Sequence, residues 1–379
     1  MIPDKQKGDV DKASPVVFWD NYGFLSHHSG IDRYANCLAS ALTAQGMSPV
    51  RMIGGAIDSL NTHDLSLGAW LTRLATKAKV AWPNVSFLKL LSSLGTQSKK
   101  SIFHGLANTN LPFALGRNSN FSYALTIHDL IPLLPNSGVS MSYKMQFSYM
   151  LPRSIDFADL IICVSQWTLD MVLDRFPSVQ DKAVLIPHGL VYPDVNKPDV
   201  GSLVEHQLLF VSRWEPYKGF EIIGDLLEKL PPSYRMEVVT DGKGEQYLNQ
   251  HAAPHMLAGR LNVHRSLTDS ELQRLYQSSA LYVHFSRYEG FALPVWEALC
   301  KGTPAMFYKG HACDSLINSG VVLGVDQNCS VDTWVDAIQS WSGRKITAGY
   351  QEQLLAYLKK QPTWSHTAEK VKALYNSII

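Results

Sequence analysis

The sequence is poor in the features that mark secreted, metal-clustered or membrane-spanning proteins. Its 379 residues contain five cysteines, an odd number and without a CxxC pair, which argues against a disulfide framework or a zinc site and suits a reducing compartment. The first residues, MIPDKQKGDVDKAS, lack the apolar core of a signal peptide. No apolar run approaches the ~20 residues of a membrane span. We therefore expect a soluble, cytoplasmic protein.

Charge is balanced in total but not along the chain. Lys and Arg number 34 against 33 Asp and Glu, which gives no global case for nucleic-acid binding. Residues 65–127 contain no acid but seven basic side chains: Arg73, Lys77, Lys79, Lys89, Lys99, Lys100 and Arg117. Helical spacing predicts a hairpin at 67–95. This basic stretch could contact an anionic membrane or a lipid-linked glycan acceptor. The alternative is an ordinary helix pair with a solvated basic face.

Short apolar runs alternate with helical periodicity, without internal repeats, and predict α/β layers with parallel sheets. The stretch 190–205 carries Pro, Gly and charge without periodicity and is the best linker. We expect two doubly wound domains facing a cleft, residues 1–198 and 199–362, and a final helix at 363–379. The expected strands are 16–19, 49–53, 101–104, 123–127, 160–164, 183–186, 206–212, 235–240, 281–286 and 304–308. The expected helices include 31–45, 142–156, 219–230, 269–277 and 293–301.

The segment LYVHFSRYEGFALPVWEALCKGTPA (281–305) carries the clearest chemistry. A strand runs into a loop with Glu289 and Gly290, and a helix follows. The free amides of a helix's first turn form an anion site, and Gly290 permits close approach of a phosphate. Glu297 suits vicinal hydroxyls such as those of a ribose. The alternative is that neither acid binds a ligand: Glu289 would cap the helix that follows, and Glu297 would lie in solvent.

Three further strand ends are candidates for the same cleft. LLFVSRWEPYKG (208–219) presents Arg213 and Lys218, two cations that suit one diphosphate, although a solvated loop is the simpler interpretation of this pair alone. YALTIHDLIPLL (123–134) ends in His128 and Asp129. DNYGFLSHHSGIDRY (20–34) places Gly30 before a helix, which is either a second site of phosphate approach or a plain turn.

Together these segments resemble the retaining family 4 glycosyltransferases of the GT-B fold, mannosyltransferases among them. The resemblance runs through SGIDRYANCLASAL, HDLIPLLP, FADLIICVSQWTLDMV, VLIPHGL, FVSRWEPYKG and EGFALPVWEALCKGTP to TWSHTAEKVKALY. The sequence departs from the family at Ser212 and Thr240, where glycine is usual.

The resemblance implies a donor site in the second domain. Arg213 and Lys218 would bind the donor diphosphate, Glu289 would contact the transferred sugar and Glu297 the ribose. His128 would line the sugar pocket, and Gly30 would let the first loop approach the phosphate. We add the amides of Gly290, Phe291, Ala292 and Leu293 to the donor site. We assign Tyr22, His28, Arg33 and Asp129 to the acceptor side.

We therefore expect a metal-independent, cofactor-free hexosyltransferase that moves a hexose, with GDP-mannose as first guess, from a nucleotide sugar to a polysaccharide or lipid-linked glycan such as lipopolysaccharide. It would be cytoplasmic, with optional peripheral contact at the inner face of the membrane through residues 65–127. A sugar-nucleotide epimerase of the same fold and a non-catalytic two-domain sugar-binding protein are the alternatives. The sequence has one Asp-x-Asp triplet, the usual sign of a divalent cation site in such enzymes, at residues 9–11, outside the segments that resemble the family.

Overall fold

The computed structural model describes residues 16–20, 30–53, 56–57, 87–88, 90–91, 100–191 and 203–379. Tyr22 and His28 lie outside the described residues. So do most of the predicted hairpin at 67–95 and the middle of the predicted linker.

The first sheet has seven strands among the described residues. They are β1 (Val17–Asp20), β2 (Val50–Ile53), β3 (Ala56–Ile57), β4 (Ser101–Gly105), β5 (Phe121–Ile127), β6 (Leu160–Cys163) and β7 (Ala183–Leu185). Their order is β3-β2-β1-β4-β5-β6-β7, and all neighbours are parallel except β2 and β3, which are antiparallel. The helices of this domain are α1 (Gly30–Ala44), α2 (Met141–Phe157) and α3 (Gln166–Arg175).

The second sheet has six parallel strands in the order β10-β9-β8-β11-β12-β13. They are β8 (Val204–Val211), β9 (Arg235–Val239), β10 (Leu261–His264), β11 (Ser279–His284), β12 (Ala305–Tyr308) and β13 (Val322–Val325). Its helices are α4 (Ile222–Lys229), α5 (Gly242–His251), α6 (Ala253–Leu257), α7 (Asp269–Ser278), α8 (Leu293–Cys300), α9 (Val331–Trp341) and α10 (Ala348–Leu358). Helix α11 (Trp364–Ser377) ends the described chain.

Both sheets are covered on both faces, as their continuous apolar strands require. Successive strand residues point to opposite faces. Phe210 and Val283 therefore enter one core with α4 and α9, whereas Leu209 and Tyr282 enter another with α8 and α10. The first domain is divided in the same way. Two doubly wound parallel-sheet domains, as the sequence predicts, are thus confirmed.

Helix α11 packs on the first domain, not on the second. Tyr375 accepts a hydrogen bond from Trp19 Nε1 at 3.0 Å, across 356 residues of chain. Ala368 and Val371 are fully buried with the residues of β1 and α1. Where α11 begins, the backbone of Gly189 lies so close that an added Cβ would be 2.2 Å from the amide nitrogen of Trp364. Helix α11 therefore completes the core to which β1 and α1 belong.

The order of the second sheet reverses between β8 and β11, which are adjacent and lead to helices on opposite faces. Their carboxyl ends therefore open a crevice, the usual ligand site of an open α/β sheet. Among the described residues, no helix is both long and apolar enough to cross a membrane.

Candidate active site

Two loops leave the sheet at this crevice, the β8 loop (residues 212–219) and the β11 loop (residues 285–292). They are joined by a backbone hydrogen bond from Arg287 N to Tyr217 O at 2.8 Å. Gly219 has φ +76°, and a Cβ there would lie 2.2 Å from the Phe285 carbonyl oxygen. Only glycine fits that contact without movement. The contact holds Lys218 next to the β11 loop.

Lys218 and Glu289 meet at the centre of the crevice. Lys218 Nζ lies 2.6 Å from Glu289 Oε1, and His284 Nε2 lies 2.8 Å from the same oxygen. Burial alone would raise the pKa of Glu289. The charge of Lys218 and the hydrogen bond from His284 outweigh burial, and the pKa of Glu289 falls well below its usual value. Glu289 is therefore a buried, ionised acceptor.

Arg213, the other predicted diphosphate ligand, lies exposed after β8. Its backbone carbonyl accepts a hydrogen bond from Ser212 Oγ at 2.9 Å, whereas its side chain makes no hydrogen bond or ion pair with another described residue. Burial raises the pKa of the Tyr217 phenol well above its usual value, and the positive charge of Arg213 partly opposes this rise. The structure thus brings Lys218 and Glu289 together and leaves Arg213 free at the rim of the same crevice.

The β11 loop also touches the first domain. A Cβ on Gly290 would lie 1.8 Å from the carbonyl oxygen of His128 and 3.0 Å from Asp129 Cβ. The hydroxyl of Thr168 donates to the His128 carbonyl at 3.1 Å and lies 3.4 Å from that of Gly290. The two domains therefore meet at this glycine, beside Glu289.

His128 reaches the crevice from the end of β5. Its Nε2 donates to the Leu106 carbonyl at 2.8 Å, and its backbone amide donates to Asn108 Oδ1 at 2.7 Å. Burial lowers the pKa of His128 to about 4, so the ring is neutral at pH 7. Its Nδ1 makes no hydrogen bond with a described residue, which leaves one acceptor for a ligand hydroxyl.

Asp129 lies next to His128 and faces the β11 loop. Its Oδ1 accepts a hydrogen bond from Ile131 N at 3.0 Å. Burial raises the pKa of Asp129 to about 6, against the opposing effects of that hydrogen bond and of Lys218. This carboxyl is therefore mostly ionised at pH 7 but takes up a proton at a higher pH than an exposed aspartate does.

Helix α8 begins where the β11 loop ends. Ala292 precedes it with φ +61°, a left-handed conformation uncommon for alanine. The amides of Gly290, Phe291 and Ala292 donate no hydrogen bond to a described residue, so they are available with the helix N-terminus for an anion. The ring of Phe291 lies 4.3 Å from that of His188 in the first domain. Leu293 lies opposite Gly30, whose added Cβ would be 3.8 Å from Leu293 Cδ1.

Glu297, two turns into α8, is paired across the domains. Arg33 Nε of α1 lies 3.0 Å from Glu297 Oε1, and the Tyr276 hydroxyl donates to Oε2 at 3.1 Å. Burial raises the pKa of Glu297, although Arg33 and the Tyr276 hydroxyl oppose the change. The structure thus places Arg33, which we assigned to the acceptor side, against the carboxylate that we assigned to the ribose.

Residues 200–360 match the family model "Glycosyl transferases group 1". The Lys218–Glu289 pair, Glu297 and the N-terminus of α8 lie in that segment, at the crevice described above. Residues 200–360 are thus similar to the group 1 glycosyltransferases.

The curated proteins to which this chain is similar have names that differ in sugar and acceptor. O-antigen chain mannosyltransferase B of Escherichia coli is 26% identical over 222 residues, 55% of this chain and 57% of that protein. The gpi3 subunit of phosphatidylinositol N-acetylglucosaminyltransferase of Schizosaccharomyces pombe is 22% identical over 228 residues, 58% of this chain and 48% of that protein. The chain spans about half the length of the curated relatives it matches.

Solved structures establish the fold over nearly the whole chain. Sucrose-phosphate synthase from Thermosynechococcus elongatus superposes with a TM-score of 0.71 at 18% identity, over 96% of this chain and 98% of that one. Anabaena HepE in complex with UDP-glucose gives a TM-score of 0.67 at 15% identity, over 96% and 99%. The predicted GT-B fold is therefore confirmed.

Sequence reasoning missed His284, Thr168 and the contact between Arg33 and Glu297 in this site. His284 carried a signal, because it is a histidine inside the otherwise apolar strand SALYVHF and lies five residues before Glu289. Thr168 and the Arg33 contact carried none, since both depend on how the domains meet.

Proposed function

We propose that the protein is a hexosyltransferase that uses a nucleotide sugar as donor. The single observation that carries the proposal is the junction of Lys218 with Glu289 at the switch point of the second sheet, beside the free amides of residues 290–292. A cation and a helix N-terminus suit a diphosphate, and an ionised acceptor suits sugar hydroxyls. The family match of residues 200–360 favours a transferase over an epimerase.

In this proposal the second domain binds the donor. Lys218, Arg213 and the amides of Gly290–Leu293 hold the diphosphate, Glu289 accepts from the sugar, and Glu297 accepts from the ribose. Nδ1 of His128 accepts a further sugar hydroxyl from the opposite domain. Gly30 lets the first loop approach the phosphate.

The reaction breaks the bond between the anomeric carbon and the diphosphate oxygen, and the bonding electrons leave with that oxygen. Stabilising the leaving charge is the main task of Lys218 and the helix N-terminus. The acceptor hydroxyl oxygen forms the new bond to the anomeric carbon. Its proton passes to the departing phosphate on the same face, so the configuration is retained. This path uses neither a metal ion nor a cofactor.

We propose a polysaccharide or lipid-linked glycan as acceptor, and GDP-mannose as the first donor to test. The similarity to an O-antigen chain mannosyltransferase supports both. Asp129, the described acceptor-side candidate that borders the β11 loop, lies where an acceptor hydroxyl would enter. A cytoplasmic location with peripheral contact to an anionic membrane through residues 65–127 belongs to the same proposal.

The test is a thermal-shift screen of the purified protein with UDP, GDP, ADP, glucose and mannose. We expect one nucleoside diphosphate to raise the melting temperature and free sugars to leave it unchanged. The matching nucleotide sugars then serve as substrates, with release of the nucleoside diphosphate as readout. Stabilisation by free sugars but by no nucleotide would favour a sugar-binding protein and overturn the proposal.

Lys218→Ala tests the leaving-group role. We expect turnover to fall about 100-fold or more, since one preorganised charge at a leaving group is lost. Lys229→Ala is the matched control, because Lys229 also pairs with a carboxylate, Asp332 at 2.7 Å, but is exposed on helix α4. Equal turnover of the two variants would remove Lys218 from the mechanism.

A further inference from the structure

One buried histidine of the second domain has both ring nitrogens engaged beside the proposed sugar site. His284 ends strand β11 and is 1% exposed. Its Nε2 lies 2.8 Å from Glu289 Oε1, and its Nδ1 lies 3.0 Å from the Tyr282 hydroxyl. Tyr282 and His284 lie two residues apart on one strand and therefore share a face of the sheet. Their rings are stacked at 5.9 Å.

The hydrogen bonds of this chain of groups fit one order of donation. Glu289 is ionised, so Nε2 carries the proton that is donated to it. In the Nε2–H tautomer, Nδ1 is an acceptor for the Tyr282 hydroxyl at 3.0 Å, which is nearer than the other acceptor of that hydroxyl, the Val211 carbonyl at 3.4 Å. Burial raises the pKa of Tyr282 well above its usual value, which keeps this phenol a donor. We assign the order of donation as Tyr282 to His284 to Glu289.

Both described donors to Glu289 act on the same oxygen. Lys218 Nζ and His284 Nε2 bind Oε1 at 2.6 and 2.8 Å, whereas Oε2 receives no hydrogen bond from a described residue. The carboxylate is thereby held at one end and left open at the other. An acceptor fixed in this way suits a ligand hydroxyl that must be held in one orientation.

Lys218 and His284 differ in what a donor substrate does to them. In the proposed function, Lys218 turns part of its charge towards the diphosphate, because its ammonium group has three donors on a flexible stem. His284 cannot follow, since it is enclosed in the strand and tied to Tyr282. Once a diphosphate is bound, His284 is the described group that still fixes Glu289.

We propose that His284, oriented by Tyr282, is a positioning residue that holds Glu289 Oε1 so that Oε2 accepts a hydroxyl of the transferred sugar. This inference rests on the proposed function, because it assigns Glu289 to the sugar. The apolar face to which His284 belongs would equally accept leucine if the ring merely filled space. The two roles therefore predict different results for isosteric replacements.

The charge on Glu289 depends on groups from several elements. Burial would raise its pKa, and His284 is one of two groups that lower it. The other titratable groups whose charges interact with it come from the β8 loop, strand β11, the 3-10 helix at Ala312–Ser319 and its cap, and the first domain. They are Lys218, Tyr217, Tyr282, His311, Cys313 and Asp129. Loss of His284 alone leaves all of these in place and should raise the pKa of Glu289.

The experiment compares His284→Gln, His284→Leu and Tyr282→Phe. The Gln amide places a donor near the position of Nε2, whereas Leu fills the space without one. With the nucleotide sugar identified by the screen, we expect kcat to fall about 10- to 100-fold in His284→Leu and to stay within about threefold of the unmodified protein in His284→Gln. Tyr282→Phe should fall between them, because Nδ1 loses its donor.

Two further readouts separate positioning from structural support. The acid limb of the kcat/KM profile should move to higher pH in His284→Leu but not in His284→Gln. Affinity for the free nucleoside diphosphate should change by less than about twofold in both, since His284 does not touch the diphosphate. His251→Gln, an exposed histidine in the same domain, is the control.

Equal losses in His284→Leu and His284→Gln, or equal losses of nucleotide affinity and turnover, would overturn the positioning role. Should no nucleotide sugar be turned over, the proposed function fails separately, and nitrogen NMR of histidine-labelled protein decides the inference. The signal of His284 is identified as the one that is missing from the spectrum of His284→Gln. In the unmodified protein this signal must report a neutral Nε2–H tautomer, and it must change in Tyr282→Phe. A Nδ1–H tautomer would contradict the assignment.

Discussion

Substituting Gly290 by alanine tests whether the contact between the domains sets the geometry of the site. The new Cβ would lie 1.8 Å from the His128 carbonyl oxygen. A carbon and a carbonyl oxygen approach to about 3.3 Å, so the β11 loop and the first domain must separate by about 1.5 Å. The obstacle is backbone, which rotation of a side chain cannot relieve.

The expected loss follows from that displacement. Glu289 precedes Gly290 and moves with it away from His128, and a shift of about 1 Å in a reacting geometry costs roughly 100-fold in rate. The Thr168 hydroxyl lies near the carbonyls of His128 and Gly290, one in each domain. Separation of the domains removes one of these partners, at a cost of about 1 kcal/mol in stability. We therefore expect a folded protein with turnover reduced about 100-fold.

The assay is steady-state release of nucleoside diphosphate, with urea unfolding of the same samples. Gly349→Ala is the matched control, since no atom lies within 4 Å of an added Cβ and the residue is in helix α10. That variant should gain about 0.5–1 kcal/mol and keep its turnover. Turnover of Gly290→Ala within about threefold of the unmodified protein would refute the reasoning.

Three other outcomes are expected. Burial raises the pKa of Glu297, and Arg33→Met removes the cation that opposes this rise. Calorimetry should therefore show that binding of the nucleoside diphosphate weakens from pH 8 to pH 6 more in this variant than in the unmodified protein. The same ratio of affinities at the two pH values in both proteins would contradict a ribose role for Glu297. Burial lowers the pKa of Lys345 to about 7, below its unfolded value, so stability should rise between pH 7 and 9 as the folded state releases its proton first. Lys345→Met should flatten that rise in urea titrations, and an equal slope would show that another group causes it. Turnover should survive excess chelator, because Lys218 and the α8 N-terminus supply the positive charge; complete loss would mean that a metal ion is required.

The strands of both sheets were predictable because they are short apolar runs that end in loop residues. Predicted and observed strands at 101–104 and Ser101–Gly105, or 235–240 and Arg235–Val239, differ by one residue at one end. Helix α4 begins at Ile222 instead of 219, because Gly219 adopts a left-handed conformation to pass Phe285. Strands β3, β10 and β13 escaped prediction, because β3 has two residues and an Asn or a Gly interrupts the apolar runs LNVH of β10 and VLGV of β13.

Only the part of the candidate site that lies within one sheet was predictable from the sequence. Lys218 and Glu289 could be paired from sequence, because both follow strands of one sheet and carry opposite charge. The contact of Arg33 with Glu297 joins residues of different domains, and no local pattern encodes how those domains meet. Helix α1, which carries Arg33, also packs against α11, from a distant part of the sequence.

The position of helix α11 has a consequence for biosynthesis. The first domain lacks Ala368, Val371 and Tyr375 in its core until a ribosome has made everything from β8 to β13. The second domain can therefore reach its final packing before the first does, although it is synthesised later. During translation, the apolar surface around Trp19 awaits a helix separated from it by more than 300 residues, and that interval is when a chaperone would find a binding site on this chain.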